Sequence, residues 1–183
     1  PNIKKKLDPL LNPYDEVPFG TSILRKKEFT DLKLPQIEPL PEQPGDLFLH
    51  QQYIQRFLSN HTPYDQLLIF HEMGTGKTCT AIGAIEGLRQ TPNNPYKRAF
   101  VFARGSGLLA NFKNELMFKC TDGRYIPQRY YQLPEDSRRG IMISKEVNKF
   151  YTLNTFEKSA STFSKVSDAD LRDEYSNSII MIY

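Results

Sequence analysis

The chain has 183 residues, of which 39% are hydrophobic and 25% charged, and its formal net charge is +3. This length gives room for one domain with a moderate core, and the composition predicts a soluble globular protein. The longest apolar runs, such as "LLIF" at 67–70 and "IIMI" at 179–182, are far too short to span a bilayer. We therefore expect no membrane-spanning segment and no membrane partner.

Positive charge is concentrated in the middle of the chain. Residues 96–150 contain eleven lysines and arginines against five aspartates and glutamates, a local balance of +6. Such a segment is typical of a polyanion-binding surface, but the same charges also occur on an ordinary solvated face. Charge alone leaves both interpretations open.

The first 45 residues differ in composition from the rest, because they contain eight of the thirteen prolines. Proline fixes φ and removes a backbone donor, which favours extended and irregular chain. We expect residues 1–45 to form an arm on the domain or a partly disordered leader. Residues 46–183 are expected to form the domain itself.

Between residues 46 and 120, the spacing of apolar residues predicts alternating helices and strands. The predicted elements are a helix over 47–58, a buried strand over 65–70, a helix over 77–90, a second buried strand over 98–103 and a helix over 108–120. The resulting β-α-β-α order is typical of a parallel sheet covered by helices.

Beyond residue 120 the pattern is less regular. Residues 121–149 carry no clear periodicity, whereas 150–158 predict a strand entering a helix and 168–175 a short surface helix. An apolar strand is predicted over 178–183. Because a strand of a parallel sheet needs neighbours on both sides, we expect the chain to be a fragment of a longer protein.

A phosphate-binding loop is predicted between the strand at 65–70 and the helix at 77–90. The stretch "HEMGTGKT" matches the pattern G-x-x-x-x-G-K-[ST] except at its first position, where His71 stands. Gly74 and Gly76 would let backbone N–H groups approach phosphate oxygens, at a helix N-terminus that favours anions.

Two further residues of this loop carry chemistry. Lys77 would reach the β- and γ-phosphates as a point charge, and Thr78 would offer its hydroxyl to Mg²⁺. The competing interpretation is a tight strand-to-helix turn with an exposed lysine. The order of strand, glycine turn and helix favours the phosphate site.

Four stretches together resemble the superfamily 2 helicases and translocases, especially the Swi/Snf-type enzymes. The stretch 71–78 resembles their motif I in the form "DEMGxGKT", and 99–116 resembles motif Ia, a strand, a turn and "SLLxNWxxEL". The stretch "LFLHQQYIQRFL" at 47–58 is similar to the "LxxHQ" segment upstream of motif I, and 151–158 is similar to motif Ib. The closest resemblance is to helicase-like transcription proteins of large cytoplasmic DNA viruses, namely the small subunit of the poxvirus early transcription factor, the related nucleoside triphosphatase and asfarvirus relatives.

The resemblance implies an α/β fold, a P-loop RecA-like parallel sheet with flanking helices, over residues 46–183. This would be the first helicase lobe, truncated before motif II, because the Asp-Glu pair of that motif would follow the strand at 178–183. The implied cofactors are ATP and Mg²⁺. We therefore expect an ATP-dependent helicase or nucleoside triphosphatase as the parent protein, and no turnover by this piece alone.

The resemblance also implies a set of nucleotide-binding residues. Lys77 and Thr78 would be catalytic, Thr78 would contact Mg²⁺ through the nucleotide, and Gln51, in preference to Gln52, would read the adenine. The full set consists of Gln51, His71, Glu72, Met73, Gly74, Thr75, Gly76, Lys77 and Thr78.

Nucleic-acid contacts are predicted in two places. Arg104, Gly105 and Ser106 lie in a turn between a predicted strand and a predicted helix, and such loops gather at the carboxyl edge of a parallel sheet, where ligands bind. Their N–H groups and the arginine could hold a phosphate. Thr155 is a second candidate contact, with a structural strand-end threonine as the alternative.

The stretch "GRYIPQRYYQL" at 123–133 mixes arginines with tyrosines. One interpretation is base stacking beside phosphate contacts. The one we favour is that Tyr125, Tyr130 and Tyr131 pack this segment onto the core.

The predicted function is the nucleotide-binding part of an ATP-dependent helicase or translocase that acts on DNA or RNA in viral transcription. The alternative is a transcription-factor subunit that uses a helicase-like fold as a binding module without motor activity. A small-molecule P-loop kinase is disfavoured, because such loops usually keep the first glycine. The resemblance further implies viral RNA polymerase or transcription-factor subunits as partners, and a location in the host cytoplasm, in viral factories, and in the virion.

Overall fold

The computed structural model of the chain describes residues 21, 25, 30, 46–59, 62, 64–70, 74–133 and 137–183. The chain divides into two compact units, Pro1–Pro92 and Asn93–Tyr183. Apart from three single positions, the arm predicted over 1–45 lies outside the described residues, and so do His71, Glu72 and Met73. The prediction of one lobe over 46–183 stays a prediction.

Two packed helices make up the described core of the first unit. Helix α1 spans Leu49–Phe57 and helix α2 spans Lys77–Gln90, and the two helices lie against each other. The predictions over 47–58 and 77–90 are confirmed. In α2 the stripe of Ile82, Ile85 and Leu88 is buried, as the helical period requires.

Glycines in α2 set how closely the two helices approach. A Cβ added at Gly87 would lie 2.5 Å from Cγ of Gln55, so a larger residue there would push α1 away. Gln55 donates a hydrogen bond from Nε2 to the carbonyl of Gly83, at 2.9 Å. The absence of a side chain therefore permits both the close packing and this interhelical hydrogen bond.

The buried strand predicted over 65–70 is wrong. Residues 64–70 form neither a strand nor a helix, and Leu68 and Phe70 are 89% and 94% exposed. A parallel strand exists only where neighbouring strands satisfy its backbone groups and helices cover its faces. The apolar run shows the residue preference of a strand but cannot supply these neighbours.

A three-stranded parallel sheet lies at the centre of the second unit. Strands β1 (Arg98–Ala103), β2 (Tyr151–Thr155) and β3 (Ser178–Ile182) are arranged in the order β2-β1-β3. Residues 99–103 of the central strand are all buried, which is why "AFVFA" is a continuous apolar run. The strands predicted near 98–103, 150–155 and 178–183 are confirmed.

Four helices and a short 3₁₀ turn connect these strands. They are α3 (Ser106–Phe118), α4 (Ser137–Val147), α5 (Phe156–Phe163), α6 (Asp168–Tyr175) and the 3₁₀ helix Tyr130–Gln132. The helices predicted over 108–120, after 155 and over 168–175 are confirmed, while α4 falls in the region that carried no clear period. In the described part of the chain, none of the helices combines the length and the apolar character that crossing a membrane requires.

Aromatic side chains hold helices against both faces of the sheet. Phe100 of β1 contacts Tyr175 of α6, with ring centroids 4.3 Å apart. On the opposite face, Phe112 of α3 contacts Tyr151 of β2 at 6.0 Å. Burial of Phe100 and of Phe112, which are almost fully enclosed, contributes about 1.5–3 kcal/mol each. The result is an α/β arrangement with a small parallel sheet and flanking helices, compatible with a RecA-like lobe.

Candidate functional site

The loop that precedes α2 is built on two glycines in the left-handed region. Gly74 has φ +86° and Gly76 has φ +72°, a conformation that costs other residues about 1–2 kcal/mol. Gly76 is also the N-cap of α2 and has no side chain that could satisfy the first N–H groups of the helix. The first backbone N–H groups of α2 are therefore candidate donors to a bound anion.

Lys77 and Thr78 form the start of α2 and follow the loop directly. Lys77 is half-buried and Thr78 is buried. Both side chains therefore pack at least partly against the protein in the first turn of α2. A lysine ammonium beside oriented N–H groups favours a phosphate group. Gly74 and Thr75 are exposed.

Gln51 connects α1 to this loop. Its side chain is 2% exposed, its Nε2 donates to the carbonyl of Gly76 at 3.2 Å, and its Oε1 accepts from the N–H of Phe48 at 3.0 Å. Gln52 instead donates to the carbonyl of Leu47, at 2.8 Å. Of the two glutamines, Gln51 is the one at the loop, and its contact with an adenine stays a prediction.

Two residues at the loop were not among the predicted site residues. Nε2 of His50 lies 3.3 Å from the carbonyl oxygen of Thr75. Thr80 is fully buried and donates from Oγ1 to the carbonyl of Gly76, at 3.1 Å. The signal for Thr80 was available, since a threonine four residues after a helix N-cap commonly bonds that carbonyl. No comparable sequence signal marked His50.

The predicted nucleic-acid residues gather at one edge of the sheet in the second unit. In the parallel register Ala103 of β1 pairs with Thr155 of β2, so Thr155 lies beside the residue that precedes Arg104. Arg104 is exposed, and Ser106 is the first residue of α3. The N-termini of α3 and α5 therefore lie at this same carboxyl edge.

Thr155 has a structural contact as well. It is the N-cap of α5, and its side chain accepts a hydrogen bond from the N–H of Lys158 at 3.3 Å. This hydrogen bond supports the alternative that Thr155 is a structural threonine at the end of the strand. A phosphate contact by Thr155 remains a prediction.

The tyrosines of 123–133 differ in burial. Tyr125 is buried and packs edge-on against Tyr151, with centroids 5.8 Å apart, as packing onto the core requires. Tyr131 is 72% exposed and makes an edge-to-face pair with Tyr130 at 5.1 Å. Packing onto the core is confirmed for Tyr125 and is wrong for Tyr131.

A polar contact fixes α4 to α3. Nζ of Lys113 donates to Oγ of Ser144 at 2.6 Å, and Ser144 in turn donates to the carbonyl of Gly140 at 2.8 Å. Burial lowers the pKa of the Lys113 ammonium, because desolvation disfavours its charged form. The contact joins α4 to α3, which itself packs on β1 and β2.

The chain is similar in sequence to proteins of several viruses. It is 37% identical over 184 residues to "Putative helicase 087L" of Invertebrate iridescent virus 3, a match that covers 95% of this chain and 18% of that protein. It is 38% identical over 141 residues to "Putative helicase 009L" of Frog virus 3 (isolate Goorha), covering 76% of this chain and 15% of that protein.

A more distant relative carries a more specific name. The chain is 28% identical over 116 residues to "Putative ATP-dependent RNA helicase R563" of Acanthamoeba polyphaga mimivirus, covering 59% of this chain and 19% of that protein. No family model matches the chain, and no solved structure matches it. The chain thus spans less than one fifth of the length of these relatives, and it is similar to a segment of proteins that are named as helicases in large DNA viruses.

Proposed function

We propose that this chain is the nucleotide-binding part of an ATP-dependent helicase or translocase that acts on nucleic acid. The observation that carries the proposal is the loop Gly74–Thr78. It combines two left-handed glycines, a helix N-terminus without a side-chain cap, and a lysine in the first helical turn. Phosphate oxygens are the ligands that such a loop binds best.

The residues present fit a nucleotide with its Mg²⁺. A Cβ added at Gly74 meets no heavy atom within 4 Å among the described residues, so none of those residues crowds the loop backbone at this position. Thr78 would supply one hydroxyl oxygen to Mg²⁺, and Lys77 would contact the β- and γ-phosphates. Mg²⁺, when bound, neutralises the charge that develops on the phosphates.

Gln51 would act mainly by holding the loop in place. Its amide holds the loop through the Gly76 carbonyl and is already bonded to the start of α1. Reading the adenine edge would require one of these hydrogen bonds to be exchanged for a bond to the base. A glutamine that senses the nucleotide and also supports the loop would couple base recognition to loop geometry.

The second half of the proposal concerns the polymer. Support comes from the exposed Arg104 at the carboxyl edge of the sheet, next to the N-termini of α3 and α5. It also comes from the names of the relatives, one of which specifies both ATP and RNA. The contacts available at this edge are to phosphates, which position a strand without reading its sequence.

We propose viral transcription in the host cytoplasm as the setting, with viral RNA polymerase or transcription-factor subunits as partners. This part rests on the resemblance to helicase-like transcription proteins described above. Co-purification of the polymerase with the tagged intact protein from infected cells would test it. Recovery of the protein without any polymerase subunit would contradict it.

Calorimetric titration with ATP in the presence of Mg²⁺ tests the loop. Lys77→Ala should weaken binding about tenfold to 100-fold, because a hydrogen bond to a charged group contributes about 1.5–3 kcal/mol. The matched control is Lys165→Ala, an exposed lysine in the turn after α5, which should bind like the wild type. Equal ATP affinity in Lys77→Ala would show that the loop does not bind the phosphates, and would contradict the proposal.

A further inference from the structure

The region between α3 and α4 presents an aromatic cluster to solvent. Tyr131 is 72% exposed and stands edge-to-face on Tyr130, with ring centroids 5.1 Å apart and planes at 88°. On Tyr130 the guanidinium carbon of Arg139 lies 4.9 Å from the ring centroid. Phe118, at the end of α3, adds a further ring 6.3 Å from Tyr130.

Tyr131 packs against Tyr130, and the contacts of Tyr130 with neighbouring residues hold the pair in place. Tyr130 contacts both Phe118 at the end of α3 and Arg139 of α4. Helix α4 is in turn hydrogen-bonded to α3 through Lys113. The cluster therefore belongs to the packed unit, and Tyr131 is its exposed end. A rigid aromatic ring has only two side-chain torsions to lose when it forms a contact, so its entropic cost is low.

The positive charge of residues 123–139 comes entirely from arginine. Residues 123–139 contain four arginines, no lysine, and two acidic residues. Arg129 and Arg138 are exposed. Arginine pairs with phosphate in a bidentate way and stacks on flat rings, whereas lysine acts as a point charge. The combination of an exposed tyrosine with arginines is typical of surfaces that bind single-stranded nucleic acid.

We propose that Tyr131 is a stacking platform for a base of single-stranded nucleic acid, with Arg129 and Arg138 contacting the flanking phosphates. This inference rests on the proposed action on nucleic acid and adds a second contact region to the sheet edge at Arg104. Its ligand class is a single strand, because the base must be unpaired to expose a face to the ring. Stacking is tolerant of sequence, since every base has such a face.

Fluorescence anisotropy of labelled 15-nucleotide strands tests the proposal on the intact protein. The strands are oligo(dT), oligo(U) and an abasic strand that has the same phosphates but no bases. Tyr131→Ala should weaken binding of both base-containing strands about fivefold to 100-fold, the usual cost of losing one stacked base. It should change binding of the abasic strand less than about twofold, and Tyr131→Phe should retain wild-type affinity for all three.

Ile141→Ala is the matched control, because Ile141 is a 67% exposed apolar residue on α4 in the same region. It should leave all three affinities unchanged, while circular dichroism confirms that each variant is folded. An equal loss in Tyr131→Ala and Ile141→Ala would indicate a general apolar surface, such as a protein-docking face, and would overturn the proposal. An equal loss on the abasic strand would also overturn it, because the effect would then not be stacking.

Failure of this inference can be told from failure of the proposed function. If Tyr131→Ala binds all strands like the wild type while Arg104→Glu binds them weakly, the platform is wrong and the nucleic-acid function stands. If the wild type binds ATP but no strand, both the platform and the nucleic-acid half of the proposed function are wrong. A difference between oligo(dT) and oligo(U) in the wild type would identify which polymer is preferred.

Discussion

At the scale of single residues, Gly76 is subject to two separate constraints. Its φ of +72° lies in the left-handed region, and a Cβ there would lie 2.6 Å from Nε2 of Gln51. Gly74 is subject to the first constraint only, because its φ is +86° and a Cβ there meets nothing within 4 Å in the part of the chain that the structure describes. The two glycines of the loop therefore differ in how well each position would tolerate a side chain.

We expect Gly76→Ala to lower the free energy of unfolding more than Gly74→Ala does. Backbone strain costs each variant about 1–2 kcal/mol, and crowding against Gln51 adds about 1–3 kcal/mol at Gly76 alone. Urea denaturation of both variants measures the difference. Equal destabilisation would mean that Gln51 moves away freely, and that it does not support the loop.

The loop shows what single-residue patterns can and cannot predict. The motif predicted that glycine is needed at 74 and 76, because phosphate binding requires close backbone approach. It could not predict that Gln51 contacts Gly76, because the distance of 25 residues along the chain does not specify which face of α1 lies against the loop. The neighbouring contact of His50 with Thr75 was missed for the same reason.

At the scale of secondary-structure elements, the packing of α1 on α2 depends on small residues. A Cβ at Gly87 would come within 2.5 Å of Cγ and 2.8 Å of Nε2 of Gln55. The Nε2 atom is also the donor to Gly83, so moving Gln55 aside would break that bond. A Cβ at Gly140 in α4, by contrast, meets nothing within 4 Å among the described residues.

The same substitution should therefore have opposite effects in the two helices. Gly140→Ala should stabilise the protein by about 0.5–1 kcal/mol, because alanine has the higher helix propensity. Gly87→Ala should destabilise it by about 1 kcal/mol, since the clash and the lost hydrogen bond outweigh that gain. Thermal unfolding of the two variants measures the sign of each effect. A stabilising Gly87→Ala would show that α1 adapts without cost.

Secondary-structure elements were predictable where the pattern of apolar residues in the sequence matches the residues that the element buries. β1 was identified from its sequence because a strand buried on both faces is continuously apolar. Residues 67–70, "LLIF", are also continuously apolar and form no strand, because composition does not specify pairing partners. Helix α4, "SRRGIMISKEV", was missed because its glycine and four charged residues obscure the helical spacing of its buried residues Ile143 and Val147.

At the scale of the whole molecule, charge is distributed unevenly between the two ends and the middle. Residues 96–150 have a local balance of +6 within a chain of net charge +3, and they include the sheet edge at Arg104. Binding of a polyanion to this region releases counterions, so its affinity must fall as salt concentration rises. A solvated face with no ligand would show no such dependence.

Arg104→Glu should weaken binding of a labelled single strand and flatten its salt dependence. Loss of one phosphate contact should reduce the slope of log K against log salt by about 0.7. The control is Lys165→Glu, an equal charge change in the turn after α5, about 12 Å along that helix from its start at the sheet edge. Equal losses in the two variants would mean that only net charge matters.

The central claim is that the loop Gly74–Thr78 binds phosphate groups, and a ligand series tests it most directly. Calorimetry with ATP, ADP, AMP and inorganic tripolyphosphate separates the phosphate chain from the base. We expect affinity to fall from ATP to ADP to AMP, tripolyphosphate to bind, and Lys77→Ala to remove most of the differences. AMP binding as tightly as ATP, or no binding of tripolyphosphate by the wild type, would contradict the account.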